Sequence, residues 1–276
     1  MIYYSYVNGK VTTGAAVIDV NDLGLLRSYA VFDYLRTYNG KPFLLEHHLQ
    51  RFINSSYALH LPLKLSKAKL TQVINGLLKK CQEDVGIRIL LSGGNSEDGI
   101  TLATPNLIIT IEKLVLPPST CFTKGIKLMK HEYMREIPLV KTTNYMNAIR
   151  ASPEKLKQGA FELLYHFENR VLETSRNNFF IFKENKLITP KFNVLQGVTR
   201  KLVLYLAADD FEMEERNVEL HELKQASEAF ITGTTKKILP VVKIDEQTIG
   251  NGLVGRNTKI LMDGFQKFTE RSNWKI

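Results

Sequence analysis

The sequence predicts a mixed α/β (α+β) protein of two domains, a small α+β amino-terminal domain and a larger barrel-like carboxy-terminal domain. Three observations support this prediction: Asn-Gly turns between strand-like runs, a helix with one apolar face, and many short strands after a pair of prolines. The chain has 276 residues, which is long enough for two domains of ordinary size.

The first domain is predicted from two hairpins, two helices and two further strands. "YYSYVNGKVTT" and "VFDYLRTYNGKPFLLE" each indicate strand, turn and strand, because Asn-Gly tolerates the positive φ of a tight hairpin. "GIRILLSGG" and "PNLIITIEKL" are typical of strands, so we expect an antiparallel sheet within residues 1–116. The second helix is indicated by apolar residues at three- and four-residue spacing, namely Leu70, Val73, Ile74, Leu77, Leu78 and Cys81.

A seam follows at "KLVLPPSTCFTKG", where Pro117 and Pro118 separate two strand-like runs. We therefore predict an interdomain linker at 117–121 and a larger domain at 122–276. In that domain we expect a helix from about Thr143 to Gln158 and another that opens at "GVTRKLVLYLAA". Short strands at "AFELLYHF", "NNFFIFKENKLITP", "FEMEERNV", "EAFITG" and "ILPVVKI" favour a barrel-like or sandwich domain with helices outside.

Composition argues against several classes of protein. The net charge of +9 raises the hypothesis of nucleic-acid binding. However, there are 12 basic and 9 acidic residues before position 121 and 25 and 19 after it, with the signs interleaved, which favours an ordinary solvated surface. No apolar run approaches the length of a membrane span and the first residues lack a signal-peptide pattern, so we expect a cytoplasmic protein. Two isolated cysteines predict neither a disulfide framework nor a metal site.

Several local features could carry chemistry. Lys141 precedes polar residues that can cap a helix, so its amine would lie at a strand-to-helix junction. "LQGVTRK" and "ITGTTKK" each place a glycine and a hydroxyl where backbone N–H groups can hold an anion. Arg51 lies beside the apolar face of a helix, and Glu173 follows an apolar pair at a strand end. Taken singly, each feature fits a surface lysine, a capped helix, a polar turn, a snorkelling arginine or a solvated carboxylate better.

Taken together and in order, six segments resemble the fold-type IV pyridoxal-phosphate enzymes. This family includes branched-chain aminotransferases, D-amino acid aminotransferases and aminodeoxychorismate lyases. The segments are "YVNGK", "VFDYLRTYNGKPFLLEHHLQRF", "VKTTNYMNAI", "NRVLETSRNNFFIFKENKLITP", "VLQGVTRKLV" and "EAFITGTTKKILPV". The resemblance implies a two-domain α/β fold, a homodimer, and pyridoxal 5′-phosphate as the cofactor.

The resemblance also implies roles for particular residues. Lys141 would form the Schiff base with pyridoxal phosphate, Glu173 would pair with the pyridine nitrogen, and Tyr145 would approach the ring hydroxyl. The cofactor phosphate would be held by Arg51, Val198, Thr199 and Thr234. The substrate would be bound by Phe32, Arg36, Arg88 and the turn at Thr235.

Two departures from the family pattern bear on the substrate. Gly93 stands where D-amino acid aminotransferases and the lyases usually carry an arginine that binds the substrate carboxylate. Ser28-Tyr29-Ala30 replaces a usual Gly-Asp-Gly, so Tyr29 can reshape the pocket. We therefore expect an aminotransferase that acts on an L-amino acid, with branched-chain donors among the candidates, and a 2-oxo acid such as 2-oxoglutarate. The alternatives are a 4-amino-4-deoxychorismate lyase, a D-amino acid aminotransferase and, from another class, a nucleic-acid-binding protein.

Overall fold

The structure, a computed structural model, describes residues 1–271 and 273–276. Within that part the chain divides into two compact units. Unit 1 consists of Met1–Val115 and Val140–Asn144, and unit 2 consists of Leu116–Leu139 and Tyr145–Ile276. None of the helices within the described residues is long and apolar enough to cross a bilayer. The same residues contain no group of His, Cys, Asp and Glu side chains arranged to hold a metal ion.

Unit 1 is an antiparallel sheet with helices. Its strands, over the described residues, are β1 (Ile2–Val7), β2 (Lys10–Thr13), β3 (Ala30–Tyr38), β4 (Lys41–Pro42), β5 (Val85–Ser92) and β6 (Leu107–Lys113). They lie in the order β2-β1-β6-β5-β3-β4, and each pair is antiparallel. Its helices are α1 (Leu23–Arg27), α2 (Leu45–Ala58) and α3 (Lys67–Leu78).

The local signals in the sequence explain these elements. Asn8 and Asn39 have φ values of 48° and 52°, so both Asn-Gly hairpins form as predicted. Helix α3 begins after Ser66, whose Oγ accepts a hydrogen bond from the backbone N–H of Lys69 at 3.2 Å. The apolar faces of α2 and α3 pack with the sheet in one core, which also contains the buried side chain of Val140.

Unit 2 is built around a larger mixed sheet. Its strands, over the described residues, are β7 (Ile126–Glu132), β8 (Glu162–Phe167), β9 (Arg170–Thr174), β10 (Asn178–Lys183), β11 (Lys186–Pro190), β12 (Glu212–Arg216), β13 (Val218–Glu219), β14 (Glu228–Gly233), β15 (Lys237–Ile244) and β16 (Gln247–Thr248). Its helices are α4 (Ser119–Lys124), α5 (Met146–Arg150), α6 (Ser152–Lys157), α7 (Val198–Ala207) and α8 (Arg256–Thr269), with a 3₁₀ turn at Leu220–Lys224.

The sheet of unit 2 curls back on itself. Its strand order is β12-β11-β10-β14-β15-β7-β8-β9-β13, and β16 pairs with β15. The two end strands, β12 and β13, are separated along the chain by Asn217 alone, so the two edges of the sheet lie close together. The sheet is thus a nearly closed barrel, and the barrel-like architecture expected from the sequence is confirmed. Its interior is filled by a cluster that includes Phe179, Ile181, Ile231 and Leu239.

Three helical segments differ from the sequence-based expectation. The single helix expected from about Thr143 to Gln158 is two short helices, α5 and α6, because Pro153 has no N–H with which to continue the hydrogen bonding of α5. Ser119–Lys124, expected to interrupt strands, forms α4. Helix α8 was not expected, although its buried residues Leu261, Phe265 and Phe268 follow a helical spacing.

Candidate active site

Lys141 lies in unit 1, on the short segment 140–144 beside β3. The backbone N–H of Phe32 donates to the Lys141 carbonyl at 2.9 Å, and the N–H of Thr143 donates to the Ala30 carbonyl at 3.0 Å. The N–H of Lys141 donates to Ser55 Oγ on α2 at 3.2 Å. Its amine lies 4.5 Å from the centre of the Phe32 ring, a cation–π distance. Backbone pairing therefore holds the lysine against one of the predicted substrate-binding residues.

Arg51, the predicted phosphate ligand of unit 1, belongs to a buried network with Asp33 and His48. Arg51 Nε and Nη2 each donate to a different oxygen of Asp33 at 2.8 Å. His48 Nδ1 lies 2.7 Å from Asp33 Oδ1. Asp33 is fully buried on β3, and both partners lie on α2, one turn apart. This bidentate pairing fixes the direction of the guanidinium.

The charges in this network are set by burial and pairing. Burial alone would raise the pKa of Asp33, but Arg51 and His48 hold that pKa well below its usual range. Burial lowers the pKa of His48, and the neighbouring Asp33 only partly opposes that shift. We therefore assign an ionised Asp33 that accepts hydrogen bonds from Arg51 and from the Nδ1–H of a neutral His48.

The predicted substrate-binding residues of unit 1 share one face of the sheet. Phe32, Tyr34 and Arg36 are every second residue of β3, so their side chains lie on the same face of the strand. Arg88 on β5 lies opposite Tyr34. The Arg88 guanidinium lies 5.8 Å from the Phe32 ring centre and donates to Glu112 Oε1 at 2.8 Å. Arg36 is 5% exposed and donates through Nε to the Thr37 carbonyl at 3.1 Å. Its buried Nη1 finds no acceptor within the described residues.

Gly93 and Tyr29, the two departures from the family pattern, lie next to each other. The N–H of Gly93 donates to the Tyr29 carbonyl at 2.9 Å. A Cβ at position 93 would lie 3.0 Å from Leu23 Cβ and 3.3 Å from Tyr29 Cδ1. The Tyr29 hydroxyl donates to the Leu59 carbonyl at 2.9 Å, which fixes its ring. An arginine at position 93 would thus require its neighbours to shift.

In unit 2, Glu173 is a buried carboxylate with a cationic partner that the sequence analysis missed. Arg135 donates to Glu173 Oε1 through Nε at 2.9 Å and through Nη2 at 2.7 Å. The backbone N–H of Leu195 donates to Oε2 at 3.1 Å. Glu173 is 5% exposed. A buried carboxylate needs a partner, but no local pattern in the sequence identifies Arg135, which lies 38 residues away along the chain.

The two predicted anion-binding loops are packed against consecutive asparagines at the start of β10. A Cβ at Gly197 would lie 2.0 Å from Asn178 Oδ1, and a Cβ at Gly233 would lie 2.5 Å from Asn177 Oδ1. Asn178 Nδ2 also donates to the Leu195 carbonyl at 2.7 Å. Both loops therefore require glycine because of close approach, and they lie at the same end of the barrel. The sequence analysis did not anticipate the two asparagines.

Gly197 is the N-cap of α7, and no side chain caps that helix. Val198 and Thr199, both buried, form its first turn, where N–H groups lack acceptors within the helix. Thr234 and Thr235 lie in the turn between β14 and β15, which is closed by a hydrogen bond from the Lys236 N–H to the Gly233 carbonyl at 3.1 Å. The donor set at α7 suits a phosphate group.

Tyr145 is the residue that precedes α5 in unit 2. Its carbonyl accepts a hydrogen bond from the N–H of Ile149 at 3.0 Å, which begins the helix. The backbone of Tyr145 is therefore fixed by α5.

The comparison with known families agrees with this geometry. The family described as amino-transferase class IV matches residues 30–244 of the chain, which include the candidate residues of both units. The chain belongs to this family. The protein is thus a class IV aminotransferase, as the sequence motifs predict, and enzymes of this family depend on pyridoxal phosphate.

Relatives of this class IV aminotransferase differ in the substrates that their names give. A "D-alanine aminotransferase" of Staphylococcus haemolyticus is 28% identical over 96% of this chain and 97% of its own length. A "Putative branched-chain-amino-acid aminotransferase" of Methanocaldococcus jannaschii is 31% identical over 98% of this chain and 97% of its own. The crystal structure of the Escherichia coli branched-chain amino acid aminotransferase has a TM-score of 0.92 at 24% identity and covers 99% of this chain and 98% of its own. The fold is therefore the fold-type IV architecture.

Proposed function

We propose that this aminotransferase binds pyridoxal 5′-phosphate through Lys141 and moves an amino group between an L-amino acid and a 2-oxo acid such as 2-oxoglutarate. Bound pyridoxal phosphate supplies an electron-withdrawing ring that stabilises negative charge on the substrate Cα. The amine of Lys141 takes the proton from that Cα as general base. Arg135 holds the carboxylate of Glu173 in place for the pyridine nitrogen.

The phosphate of the cofactor is proposed to be held by Arg51, Val198, Thr199 and Thr234. Arg51 brings a guanidinium whose direction is fixed by Asp33. Val198 and Thr199 bring N–H groups of the first turn of α7, and Thr234 brings a hydroxyl. Anchoring the phosphate restricts the motion of the ring while protons move. Tyr145 is proposed to contact the ring hydroxyl.

The position of Glu173 relative to helix α7 is the observation that supports the proposal most strongly. Glu173 Oε2 accepts the N–H of Leu195 at 3.1 Å, and Leu195 precedes the N-cap of α7 by two residues. A buried carboxylate and an uncapped helix N-terminus are therefore linked by a single short segment of unit 2. This pairing suits a ligand that has a basic ring nitrogen at one end and a phosphate at the other.

The surroundings of Gly93 support an L-amino acid as donor. An arginine at this position, as in the D-amino acid enzymes, would meet Leu23 and Tyr29. Without that guanidinium, Phe32, Arg36, Arg88 and the turn at Thr235 are proposed to bind the substrate.

The test is a half-reaction screen. Purified protein is loaded with pyridoxal phosphate, and L- and D-amino acids are added one at a time while the cofactor absorbance is followed. We expect a yellow protein that is converted by L-amino acids, and a Lys141→Ala variant that loses at least about a thousandfold in rate. A protein that takes up no pyridoxal phosphate, or a Lys141→Ala variant as active as the wild type, contradicts the proposal.

A D-amino acid aminotransferase is the second candidate, because a D-alanine aminotransferase is among the relatives. Conversion by D-alanine and not by L-amino acids in the same screen would favour it. Formation of 4-aminobenzoate and pyruvate from aminodeoxychorismate would instead favour the lyase. A homodimer remains our prediction from the family resemblance, and light scattering on the purified protein measures it. A cytoplasmic location remains our prediction from the sequence composition.

A further inference from the structure

Three basic side chains from different parts of unit 2 lie near one buried carboxylate. Lys155 lies on α6, Arg176 in the loop between β9 and β10, and Lys236 in the turn between β14 and β15. Glu162 is the first residue of β8. Lys236 interacts electrostatically with each of the other three. We call these four residues the basic cluster.

The carboxylate of the basic cluster is already committed to other partners. Glu162 is 2% exposed. Its Oε1 accepts the hydroxyl of Ser175, and its Oε2 accepts Arg176 Nε at 3.0 Å and Nη2 at 2.9 Å. The amine of Lys155 donates to the Phe161 carbonyl at 3.3 Å. The one carboxylate of the basic cluster is thus paired with the arginine.

Lys236 is the member of the basic cluster that lacks a counter-ion. Its side chain is partly buried, and no hydrogen bond or ion pair joins its amine to residues 1–271 or 273–276. Burial first, and then the charges of Arg176 and Lys155, lower the pKa of Lys236 to about 8, although Glu162 opposes the shift. A partly buried ammonium between like charges is unfavourable. An anion from outside the chain would remove this cost.

The basic cluster adjoins the turn that we propose for the substrate carboxylate. The N–H of Lys236 closes that turn on the Gly233 carbonyl at 3.1 Å. On the other side, a Cβ at Gly233 would lie 2.5 Å from Asn177 Oδ1 and 3.8 Å from the Arg176 carbonyl. The loop that carries Arg176 therefore packs directly on the turn that carries Thr235.

We propose that Lys236, together with Arg176 and Lys155, forms an anion subsite for the second carboxylate of a dicarboxylic amino acid or its 2-oxo acid. A carboxylate makes charge-assisted hydrogen bonds with an ammonium and neutralises the excess charge of the basic cluster. The first carboxylate would lie at the turn, one residue away along the chain. Assigning the anion to the substrate rests on the proposed function, and the substrate class that follows is acidic amino acids such as glutamate.

The test measures binding of glutarate and of pentanoate, acids of the same chain length with two carboxylates and one, by calorimetry on the purified protein. We expect glutarate to bind at least about tenfold more tightly than pentanoate. Lys236→Met should abolish this preference, whereas Lys236→Arg should keep it. Lys237→Gln is the matched control, since it removes one charge from the next residue, the first of β15, whose amine donates to Gln266 Oε1 at 3.2 Å. It should leave the preference intact.

Each outcome decides the proposal. Equal binding of glutarate to the wild type and to a folded Lys236→Met variant, or equal binding of pentanoate and glutarate to the wild type, overturns it. Inorganic phosphate that competes with glutarate at equal or higher affinity overturns the assignment to a carboxylate. The measurement needs no turnover, so a colourless, inactive protein that still prefers glutarate would refute the proposed function and leave the anion subsite standing.

Discussion

The two units hold their candidate site residues in different ways. In unit 1, the guanidinium of Arg51 is oriented by other side chains, Asp33 and His48, in a network away from solvent. In unit 2, the groups proposed to bind the phosphate are backbone N–H groups of α7 and the Thr234 hydroxyl. Their loops are positioned because Gly197 and Gly233 allow close approach to neighbouring amides. Side chains therefore position the site of unit 1, and backbone packing positions most of that in unit 2.

This difference indicates how each unit should respond to substitution. Removing a charge from a buried network leaves its partners uncompensated and costs stability. Adding a methyl group to a glycine that packs closely on a neighbouring side chain displaces the loop and distorts its local geometry. Glu173 is the exception in unit 2, because Arg135 pairs with it as Asp33 pairs with Arg51.

The largest effect on activity and stability is expected for substitution of Glu173. Glu173→Gln removes the negative charge proposed to hold a proton on the pyridine nitrogen, and we expect the transamination rate to fall by about 100- to 1000-fold. It also breaks the largely buried ion pair with Arg135, so the free energy of unfolding should fall by about 3–5 kcal/mol. Steady-state kinetics and urea unfolding measure the two effects.

A double variant separates these two consequences. Combining Glu173→Gln with Arg135→Met removes both charges, so stability should recover while activity stays low. Recovery of activity together with stability would show that Glu173 acts only as a structural partner of Arg135. Glu173 would then no longer count among the site residues of unit 2.

Asp33→Asn tests the side-chain network of unit 1. Arg51 and His48 lose their shared carboxylate, and we expect the free energy of unfolding to fall by about 3–5 kcal/mol and the affinity for pyridoxal phosphate to fall as well. Asp19→Asn, at an exposed aspartate of the same unit, should change stability by less than about 0.5 kcal/mol. Equal stability of the two variants would contradict a network that is held by Asp33.

The same variant has a characteristic pH dependence. The pKa of Asp33 is lowered in the folded state, so its contribution is complete above the unfolded-state value of about 3.9 and is lost as pH falls below it. The stability difference between wild type and Asp33→Asn should therefore be constant above about pH 5 and shrink below about pH 4. A constant difference down to pH 2 would contradict the assigned pairing.

The sequence carried more information about elements and motifs than about the partners of the site residues. Lys141 and Glu173 could be selected because they lie in recognisable segments. Their surroundings could not be predicted, since Arg135 is 38 residues from its carboxylate and Asp33 is 18 residues from its arginine. Such pairs depend on strand register and helix packing, which no local pattern encodes. The contact of Asn178 with Gly197 has the same origin.

The fold shows the same limit on a smaller scale. Asn-Gly turns and apolar spacing specify hairpins and α3 locally, so these elements were predictable. The boundary between α5 and α6 depends on one proline, Pro153, which lies within a segment whose other residues favour one continuous helix.

Gly197→Ala tests backbone positioning in unit 2. The new Cβ would lie 2.0 Å from Asn178 Oδ1, so the loop must move, and we expect a loss of about 1–3 kcal/mol in stability with weaker binding of pyridoxal phosphate. Gly264→Ala on α8 is the matched control, because no atom lies within 4 Å of its added Cβ; it should stabilise by about 0.5–1 kcal/mol. A Gly197→Ala variant with unchanged cofactor affinity would contradict close packing as the positioning device.

The smallest expected effect concerns charge in unit 2 and follows from the pKa of Lys236, about 8. Glutarate should bind about tenfold more weakly at pH 9 than at pH 7, because the unliganded amine then loses its proton. The charged groups that interact with it are Arg176, Glu162 and Lys155. Lys236→Arg should bind glutarate with the same affinity at both pH values. An equally steep loss in that variant would show that a group other than Lys236 titrates, and it would move the anion subsite away from the turn between β14 and β15.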